Sequence, residues 1–279
     1  FWGSPTGPDP VDSTVIPLRG NSEVCFIADP DRDGYLDIIA SLCSNGIGHV
    51  FWGSLTGYDP GNRTDLPVEL GAHNIEVADL NVDGWADIVF VNEPSAGPCD
   101  NYVYWGSPAG FWPSSRTLLE GPDGPHGLSV ADLDSNGYLD LIFTAWYGPR
   151  AYIYWGDAAG YSPGSRQILT PTNSYGGSTV ADINGDSYLD IVFHHGGGGS
   201  RPQKIYWGSA SGYSDANSTD IGIACEFTGG FVADLDYDGV LDIFANVCVP
   251  SGMSYIFWGP DFSTHTGLPS DYDHHGMFR

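Results

Sequence analysis

The sequence contains few basic residues and no long apolar segment. Nine Lys and Arg stand against 35 Asp and Glu among 279 residues, which gives a formal net charge of −26. Such a chain repels polyphosphates and anionic headgroups, so we expect no nucleic-acid partner. No apolar run approaches the roughly 18–20 residues of a membrane span. We therefore also expect no direct insertion into a membrane.

Recognisable catalytic motifs are missing as well. The sequence has no GxSxG, HExxH, CxxC or P-loop pattern. His194-His195 and Asp273-His274-His275 lack the third or fourth ligand of a transition-metal site. We therefore expect a non-catalytic protein. The alternative is a carbohydrate-active enzyme of the polysaccharide lyase kind, which needs a basic or His/Tyr cluster to neutralise and deprotonate a uronate.

Glycine, proline and aromatic residues are abundant. The chain has 39 Gly and 20 Pro, 41% of its residues are hydrophobic and 14% are aromatic. This composition is typical of an all-β fold with many turns, not of a disordered acidic chain.

A nine-residue acidic pattern returns five times. The last copy reads DLDYDGVLD, and the copies begin at residues 29, 79, 132, 182 and 234, which are 50, 53, 50 and 52 residues apart. Carboxylates at positions 1, 3, 5 and 9, a backbone carbonyl at position 7 and Gly at position 6 suit the oxygen ligands and the sharp turn of a Ca²⁺ loop. One copy alone would be read as an acidic surface turn, but five in register predict about five structural Ca²⁺ ions.

The predicted ligands comprise side-chain oxygens and the carbonyl at position 7. The side-chain sets are Asp29, Asp31, Asp33 and Asp37; Asp79, Asn81, Asp83 and Asp87; Asp132, Asp134, Asn136 and Asp140; Asp182, Asn184, Asp186 and Asp190; and Asp234, Asp236, Asp238 and Asp242. The carbonyl ligands belong to Tyr35, Trp85, Tyr138, Tyr188 and Val240.

An EF-hand is excluded by the residues on the C-terminal side of each loop. Position 12 holds Ala or Phe instead of the bidentate Glu, and it lies within β-branched and aromatic runs such as DIVFV. Each loop is therefore predicted to join two strands of a hairpin. A second repeated signature, Phe/Tyr-Trp-Gly, ends a later strand of each repeat, and its aromatics are interpreted as core wedges between repeats. Sugar stacking by these Trp residues is the alternative.

One repeat thus contains four antiparallel strands, predicted in the second repeat at Asn74–Val77, Asp87–Val91, Tyr102–Trp105 and Arg116–Leu119. Four strands per roughly 50 residues, with apolar inner strands and a polar outer one, indicate a β-propeller blade. We predict a single propeller over 1–279, with a partial blade at 1–20, full blades at 23–69, 74–120, 126–170, 176–221 and 226–270, and the start of a further blade at 274–279. We expect the chain to be a fragment of a longer array, and the alternative is a six-bladed ring that closes imperfectly.

Cysteines and glycosylation sequons favour an oxidising, extracellular location. Cys25 and Cys43 flank the first loop, and Cys225 and Cys248 flank the fifth, so each pair is predicted to bridge its own hairpin, which leaves Cys99 free or paired with another chain. Five reduced core thiols are the alternative. Sequons at Asn62 and Asn217 fall at the same position of their repeats.

The DxDxDGxxD loop between a VADL-type and an LDIIF-type strand resembles the FG-GAP/VCBS repeats of integrin alpha-subunit heads and of fungal and bacterial propeller lectins. The resemblance covers nearly the whole chain and implies calcium in the five sets above. Asn81, Asn136 and Asn184 replace Asp, and Ser187 replaces Gly at position 6, so loops 2 to 4 should bind more weakly.

The resemblance also implies ligand binding on the face opposite the calcium loops, or between blades. The connections on that face are Asn92–Asn101, Ala145–Ala151, His194–Lys204 and Asn246–Ser254. Trp146, Tyr147 and Arg150 are the candidate contacts, because aromatic faces and Arg suit carbohydrate or acidic partners. Packing of Trp146 against the next blade is the alternative. We expect a secreted recognition, adhesion or scaffold module with a protein or carbohydrate ligand, and assembly with other copies is a further candidate.

Overall fold

Each acidic loop of the computed structural model joins two β-strands, as the sequence predicts. The structure describes residues 13–18, 24–42, 46–93, 99–146, 148–171, 177–195, 201–225, 227–247 and 253–269. Within these residues, twenty strands form five four-stranded antiparallel sheets, and in every sheet the strands lie side by side in chain order.

The first sheet contains β1 (Cys25–Ala28), β2 (Asp37–Leu42), β3 (Ile47–Phe51) and β4 (Arg63–Pro67). The second contains β5 (Ala72–Ala78), β6 (Asp87–Asn92), β7 (Asp100–Tyr104) and β8 (Arg116–Glu120). The third contains β9 (Pro125–Ala131), β10 (Asp140–Ala145), β11 (Ala151–Tyr154) and β12 (Arg166–Leu169). The fourth contains β13 (Ser178–Ala181), β14 (Asp190–Phe193), β15 (Arg201–Tyr206) and β16 (Ser218–Cys225). The fifth contains β17 (Phe227–Ala233), β18 (Asp242–Val247), β19 (Met253–Phe257) and β20 (His265–Pro269).

Burial differs between the strands of a sheet. All six residues of β6 are buried, as are four of the five in β7, whereas only Leu119 is buried among the five residues of β8. The polar outer strand is therefore confirmed. The first strands are less buried than their apolar sequences predict: β1 alternates between exposed and half-buried positions. They form one edge of each sheet, where the first strands of the adjacent sheets pack against them, and β5 and β9 also contact the second strand of the preceding sheet.

Neighbouring sheets pack face to face and share their cores. The first strands contact one another in succession from β1 through β5, β9 and β13 to β17. One core cluster joins Ile39 and Val50 of the first sheet to Phe90 and Tyr104 of the second, and three further clusters join the later pairs of sheets. No comparable packing links the first and fifth sheets in the part of the chain that the structure describes. Burial of an aliphatic or aromatic side chain of this kind contributes about 1.5–3 kcal/mol.

Three Trp residues of the Trp-Gly signature stack on aromatic rings of the next sheet, which confirms the interpretation of these three as wedges. Trp105 of the second sheet stacks on Tyr161 of the third with ring centroids 5.9 Å apart. The same stacking joins Trp52 to Phe111, and Trp155 to Tyr213. The rings are thus committed to packing between repeats.

Regular helix is limited to two 3₁₀ turns, Pro113–Ser115 and Pro163–Ser165, among the described residues. Within the same residues, no helix has the length and apolar character needed to cross a membrane. The predicted further blade at 274–279 lies outside the described residues, as does most of the predicted partial blade at 1–20. The five sheets fall close to the five predicted full blades, except that β16 continues to Cys225, beyond the predicted end at 221.

Candidate metal centres

The acidic side chains of each loop turn inward and bind the loop's own backbone. In the second loop, Asp79 accepts hydrogen bonds from the backbone N–H of Asp83 at 3.0 Å and of Gly84 at 2.9 Å. Asp83 in turn accepts one from the N–H of Trp85 at 2.8 Å. The corresponding bonds recur in the other four loops. Hydrogen bonds within the loop therefore hold the side chains of positions 1 and 5 against the loop's backbone.

Two left-handed residues give each loop its shape. Position 4 has a positive φ in all five loops, for example 59° at Val82, and so does position 6, for example 92° at Gly84. Glycine adopts this conformation without a steric penalty. The prediction of a sharp turn at position 6 is confirmed, and Ser187 adopts it in the fourth loop with φ of 72°.

Replacing Ser187 by Gly should stabilise the fourth loop. A side chain in the left-handed region costs about 1–2 kcal/mol, partly offset by the extra freedom that Gly has in the unfolded chain, so Ser187→Gly should raise the free energy of unfolding by about 0.5–1 kcal/mol. Urea unfolding in saturating calcium measures the change. Gly137→Ser is the matched reverse substitution at position 6 of the third loop, and it should destabilise by a similar amount. Equal stability of both variants and the wild type would contradict this account.

Asp at position 9 is buried beneath each loop. The side chain of Asp87 is fully buried, and its two oxygens accept hydrogen bonds from the N–H of Gly106 at 2.7 Å and of Leu80 at 2.9 Å. Asp140, Asp190 and Asp242 make the same pair of bonds. Burial raises the pKa of Asp87 to about 7 and that of Asp140 to about 6, although the backbone hydrogen bonds oppose the rise.

The first loop lacks one of these bonds. Position 2 is Pro30 there, which has no N–H, so Asp37 keeps only the bond from Gly53 at 2.7 Å. The second oxygen of Asp37 is buried and has no hydrogen-bond partner, and the side chain is 1% exposed. Burial raises the pKa of this carboxyl to about 7. A buried carboxylate oxygen without a partner is costly, and a bound cation would satisfy it.

Carboxylates come close enough to share an ion in three loops. Oxygens of Asp29, Asp31 and Asp33 lie within 4.8 Å of one another. Two other sets do the same and include position 9: Asp132, Asp134 and Asp140, and Asp234, Asp236 and Asp242. In the second and fourth loops position 3 is Asn, whose amide donates to the carboxylate at position 5. The three carboxylate sets suit Ca²⁺, which takes oxygen ligands, and Asn at position 3 of the second and fourth loops also carries an amide oxygen that could serve as a ligand.

The glycine of each Trp-Gly pair lies against the loop of its own sheet. Its N–H donates to Asp at position 9, and a Cβ on Gly156 would lie 2.3 Å from the carbonyl oxygen of Leu139. The same contact occurs at Gly53, Gly106, Gly208 and Gly259. The absence of a side chain at this glycine therefore permits a close approach between two segments of backbone.

The candidate ligand contacts are only partly described. Trp146 is half-buried, and its ring packs edge-on against His126 with centroids 4.7 Å apart. His126 belongs to the same sheet, so the contact described for Trp146 lies within its own blade. Arg150 is exposed, and Tyr147 lies outside the described residues. A ligand-binding role for these residues stays a prediction.

The disulfide prediction is wrong for Cys25, whose thiol is free and exposed. The strand register explains this, because Cys25 lies opposite Ala40 and not opposite the chain near residue 43. Cys225 ends the outer strand of the fourth sheet instead of belonging to the fifth hairpin. Cys43 and Cys248 lie outside the described residues. Cys99 is a free, buried thiol, and burial raises its pKa to about 12.

Both sequon asparagines are exposed immediately before an outer strand, as their shared repeat position predicts. Their threonines have a structural role. Thr64 accepts a hydrogen bond from the indole N–H of Trp52 at 3.1 Å, and Thr219 accepts one from Trp207 at 2.9 Å. The second and fifth sheets contain the same Trp–Thr bond without a sequon.

One cluster of metal-ligating side chains was not predicted from the sequence. His73, Glu93 and His126 lie together at the end of the sheets away from the acidic loops. The available signal was that His73 and His126 each precede the first Asp of the next loop by six residues. Of the histidines considered from sequence, His194 uses both ring nitrogens in hydrogen bonds to Thr179 and Gln203, and 273–275 lie outside the described residues.

Comparison with known proteins agrees with the repeat seen in the sheets. The family of FG-GAP-like repeats matches the chain twice, over residues 29–90 and 79–143. Each match begins at the first Asp of one loop and ends in the second strand of the next sheet. No curated protein matches. A crystal structure of BBS1N in complex with ARL6DN, soaked with lead, is similar with a TM-score of 0.44 and 9% identity, over 86% of this chain and 80% of that chain.

Proposed function

We propose that this chain, an FG-GAP repeat β-propeller, is a calcium-binding module of the extracellular space that acts in recognition, adhesion or scaffolding without catalysis. The observation that carries the proposal is the repeated oxygen cradle, with the unpartnered, buried oxygen of Asp37 beneath the first loop. Five Ca²⁺ ions would add +10 to the net charge of −26 and relieve repulsion within each loop.

Two arguments support an extracellular location: the calcium concentration that such loops need, and the two glycosylation sequons. Extracellular modules bind Ca²⁺ with Kd of about 10⁻⁴–10⁻³ M, which matches the millimolar calcium found outside cells. The exposed positions of Asn62 and Asn217 are compatible with glycans at both sequons. A protein or carbohydrate ligand on the face away from the loops, or a second copy of the chain, is the expected partner.

A lyase activity has weaker support. Arg116 lies over the ring of Tyr102 at 4.4 Å, and Arg166 lies in the same way over Tyr152, so Arg–Tyr pairs do exist. Burial raises the pKa of Tyr102 to about 12, which leaves its hydroxyl a poor base at neutral pH. The pairs repeat at one position in successive sheets, as a packing motif does.

Calorimetric titration with Ca²⁺ tests the metal part of the proposal. About five equivalents should bind, and near pH 6.5 binding should release protons, because Asp37 and Asp87 with pKa of about 7 are then largely protonated in the metal-free protein. The apparent enthalpy should therefore depend on the ionisation enthalpy of the buffer, and this dependence should vanish near pH 9. Heats that are independent of the buffer at pH 6.5 would contradict the role of the buried carboxyls.

Single substitutions distinguish calcium binding by the loops from nonspecific calcium binding to other surface carboxylates. Asp234→Asn and Asp79→Asn should each remove one equivalent of bound calcium. Asp59 is an exposed aspartate outside the loops, so Asp59→Asn should leave the number of bound calcium ions unchanged.

A glycan array with and without chelator tests recognition. An absorbance assay on acidic polysaccharides tests the lyase alternative, and unsaturated product formed by the calcium-loaded protein would overturn the non-catalytic assignment.

A further inference from the structure

A second kind of ligand set lies at the opposite end of the sheets from the acidic loops. His73 lies near the start of β5, Glu93 directly follows β6, and His126 lies near the start of β9. The acidic loops follow the other ends of β5 and β9. Since β5 and β9 are packed neighbours, the three side chains meet between the second and third sheets.

The three side chains are close enough to share one ion. One nitrogen of each imidazole and one carboxylate oxygen of Glu93 lie within 4.8 Å of one another. His73 Nε2 is 3.7 Å from Glu93 Oε2, and the two imidazole rings have centroids 5.4 Å apart. Ligand atoms about 2.0–2.2 Å from a tetrahedral Zn²⁺ lie roughly 3.3–3.6 Å from one another. Small side-chain rotations would therefore complete such a site.

The backbone places both histidines by the same device. In the pairing of β5 with β6, Ala72 lies opposite Asn92 and Asn74 opposite Val91, so His73 is the extra residue of a β-bulge. In the third sheet, His126 is likewise the extra residue between Pro125 and Gly127. A bulge redirects one side chain out of the strand's regular alternation, and bulges are frequent beside functional sites.

Neighbouring contacts hold the other members in position. The N–H of Glu93 donates to the carbonyl of Gly71 at 2.7 Å, and Gly71 has φ of 82°. A Cβ on Gly71 would lie 1.9 Å from the carbonyl oxygen of Glu93, so only Gly fits there. The ring of Trp146 packs edge-on against His126. The Glu93 side chain is 7% exposed and that of His73 is 19% exposed, so the cluster is sheltered but retains some solvent access.

We propose that His73, Glu93 and His126 form a Zn²⁺ site with two imidazole ligands and one carboxylate ligand. Imidazole nitrogen suits Zn²⁺ and similar transition metals, whereas Ca²⁺ takes oxygen ligands, so the acidic loops and this site select different ions. Three protein ligands leave one position of a tetrahedral ion for water or for an acidic group of a partner. The site does not depend on the calcium proposal, because it uses none of the loop residues.

Titration of Zn²⁺ into the full chain in excess calcium tests the proposal. One equivalent should bind to the wild type, and the double variant His73→Gln/His126→Gln should lose it. Glu93→Gln should weaken binding by at least about tenfold. His265→Gln removes an exposed histidine from the outer strand of the fifth sheet and should leave binding unchanged. Undiminished binding by the double variant, or no binding by the wild type, would overturn the site.

Two further measurements keep the test decisive if a variant folds poorly. Near-ultraviolet circular dichroism and the melting temperature in calcium show whether each variant is folded. X-ray absorption of the zinc-loaded wild type needs no variant, and it should report two imidazole nitrogens and light-atom ligands at about 2.0–2.2 Å. A spectrum with oxygen ligands alone would assign the zinc to the acidic loops and reject the proposal.

Discussion

Excess chelator should lower the melting temperature of this protein by roughly 5–20 °C relative to the protein in millimolar calcium. Each site with Kd of about 10⁻⁴–10⁻³ M would contribute about 0.4–1.4 kcal/mol under these conditions. Five independent sites therefore contribute about 2–7 kcal/mol, and about 1 kcal/mol shifts the midpoint of a domain of this size by roughly 2–4 °C. The whole stability of a domain is about 5–15 kcal/mol.

The calcium effect should also grow with pH. In the metal-free protein the folded-state pKa of Asp37 and Asp87 is raised to about 7 by burial. A raised pKa means that their protonation stabilises the fold fully below the unfolded pKa of about 3.9, and that this contribution is lost as the pH rises through about 7. The calcium-loaded protein avoids this loss, because the metal neutralises the carboxylates. The gap between the two melting temperatures should therefore be larger at about pH 8 than at about pH 5.

Scanning calorimetry with and without chelator at the two pH values measures both effects. Calcium added after chelation should restore the original midpoint, while Mg²⁺ at the same concentration should not, since it demands a smaller octahedral site. Identical melting curves with and without chelator would reject calcium as a structural element.

Gly156→Ala should destabilise the protein by about 2–6 kcal/mol. The new Cβ would lie 2.3 Å from the carbonyl oxygen of Leu139, which belongs to the backbone and cannot rotate away. The chain would have to shift, and the hydrogen bond from the Gly156 N–H to Asp140 would break. Strain of this kind costs about 1–3 kcal/mol, and the buried carboxylate oxygen left without a donor adds about 1–3 kcal/mol.

Urea unfolding in saturating calcium measures this loss, and Gly164→Ala is its matched control. Gly164 is exposed in a 3₁₀ turn of the same sheet, and a Cβ there would meet only the Ser162 hydroxyl at 3.6 Å. The control should change stability by less than about 0.5 kcal/mol. Similar values for the two variants would show that the Trp-Gly glycine is not needed for the close approach.

The period of the acidic pattern made most of the fold predictable. The predicted strand Asn74–Val77 lies within Ala72–Ala78, and the predicted strand Asp87–Val91 ends one residue before the observed end. Hydrophobic runs on both sides of a rigid turn leave little choice of register. Asp at position 9 was predicted as a ligand, but its hydrogen bonds to the Trp-Gly glycine required the fold, because 16 residues separate Gly156 from Asp140.

Long-range and single-residue effects were not predictable. Pro30 looks like an ordinary turn residue, and only the pattern of the other loops shows that it removes a donor from Asp37. His73 and His126 come together because both are bulge residues in adjacent sheets. The position of a bulge depends on how two strands pair, and this register cannot be read from the sequence of either strand alone. The Cys25–Cys43 disulfide was wrongly predicted because strand register is also a property of two paired strands. Two residues that flank a loop need not lie opposite each other.

The indole–threonine bond has an evolutionary consequence for the rim of the propeller. The fold already places Thr117 beside Trp105 and Thr266 beside Trp258. Each threonine is the third residue of a triplet that begins with Ser115 or Thr264, and that triplet would be an N-x-T sequon if its first residue were Asn. One substitution to Asn at either position would therefore create an acceptor for a sugar chain without disturbing the core. Sequence drift can thus add or remove N-x-T sequons on successive blades while the architecture stays fixed.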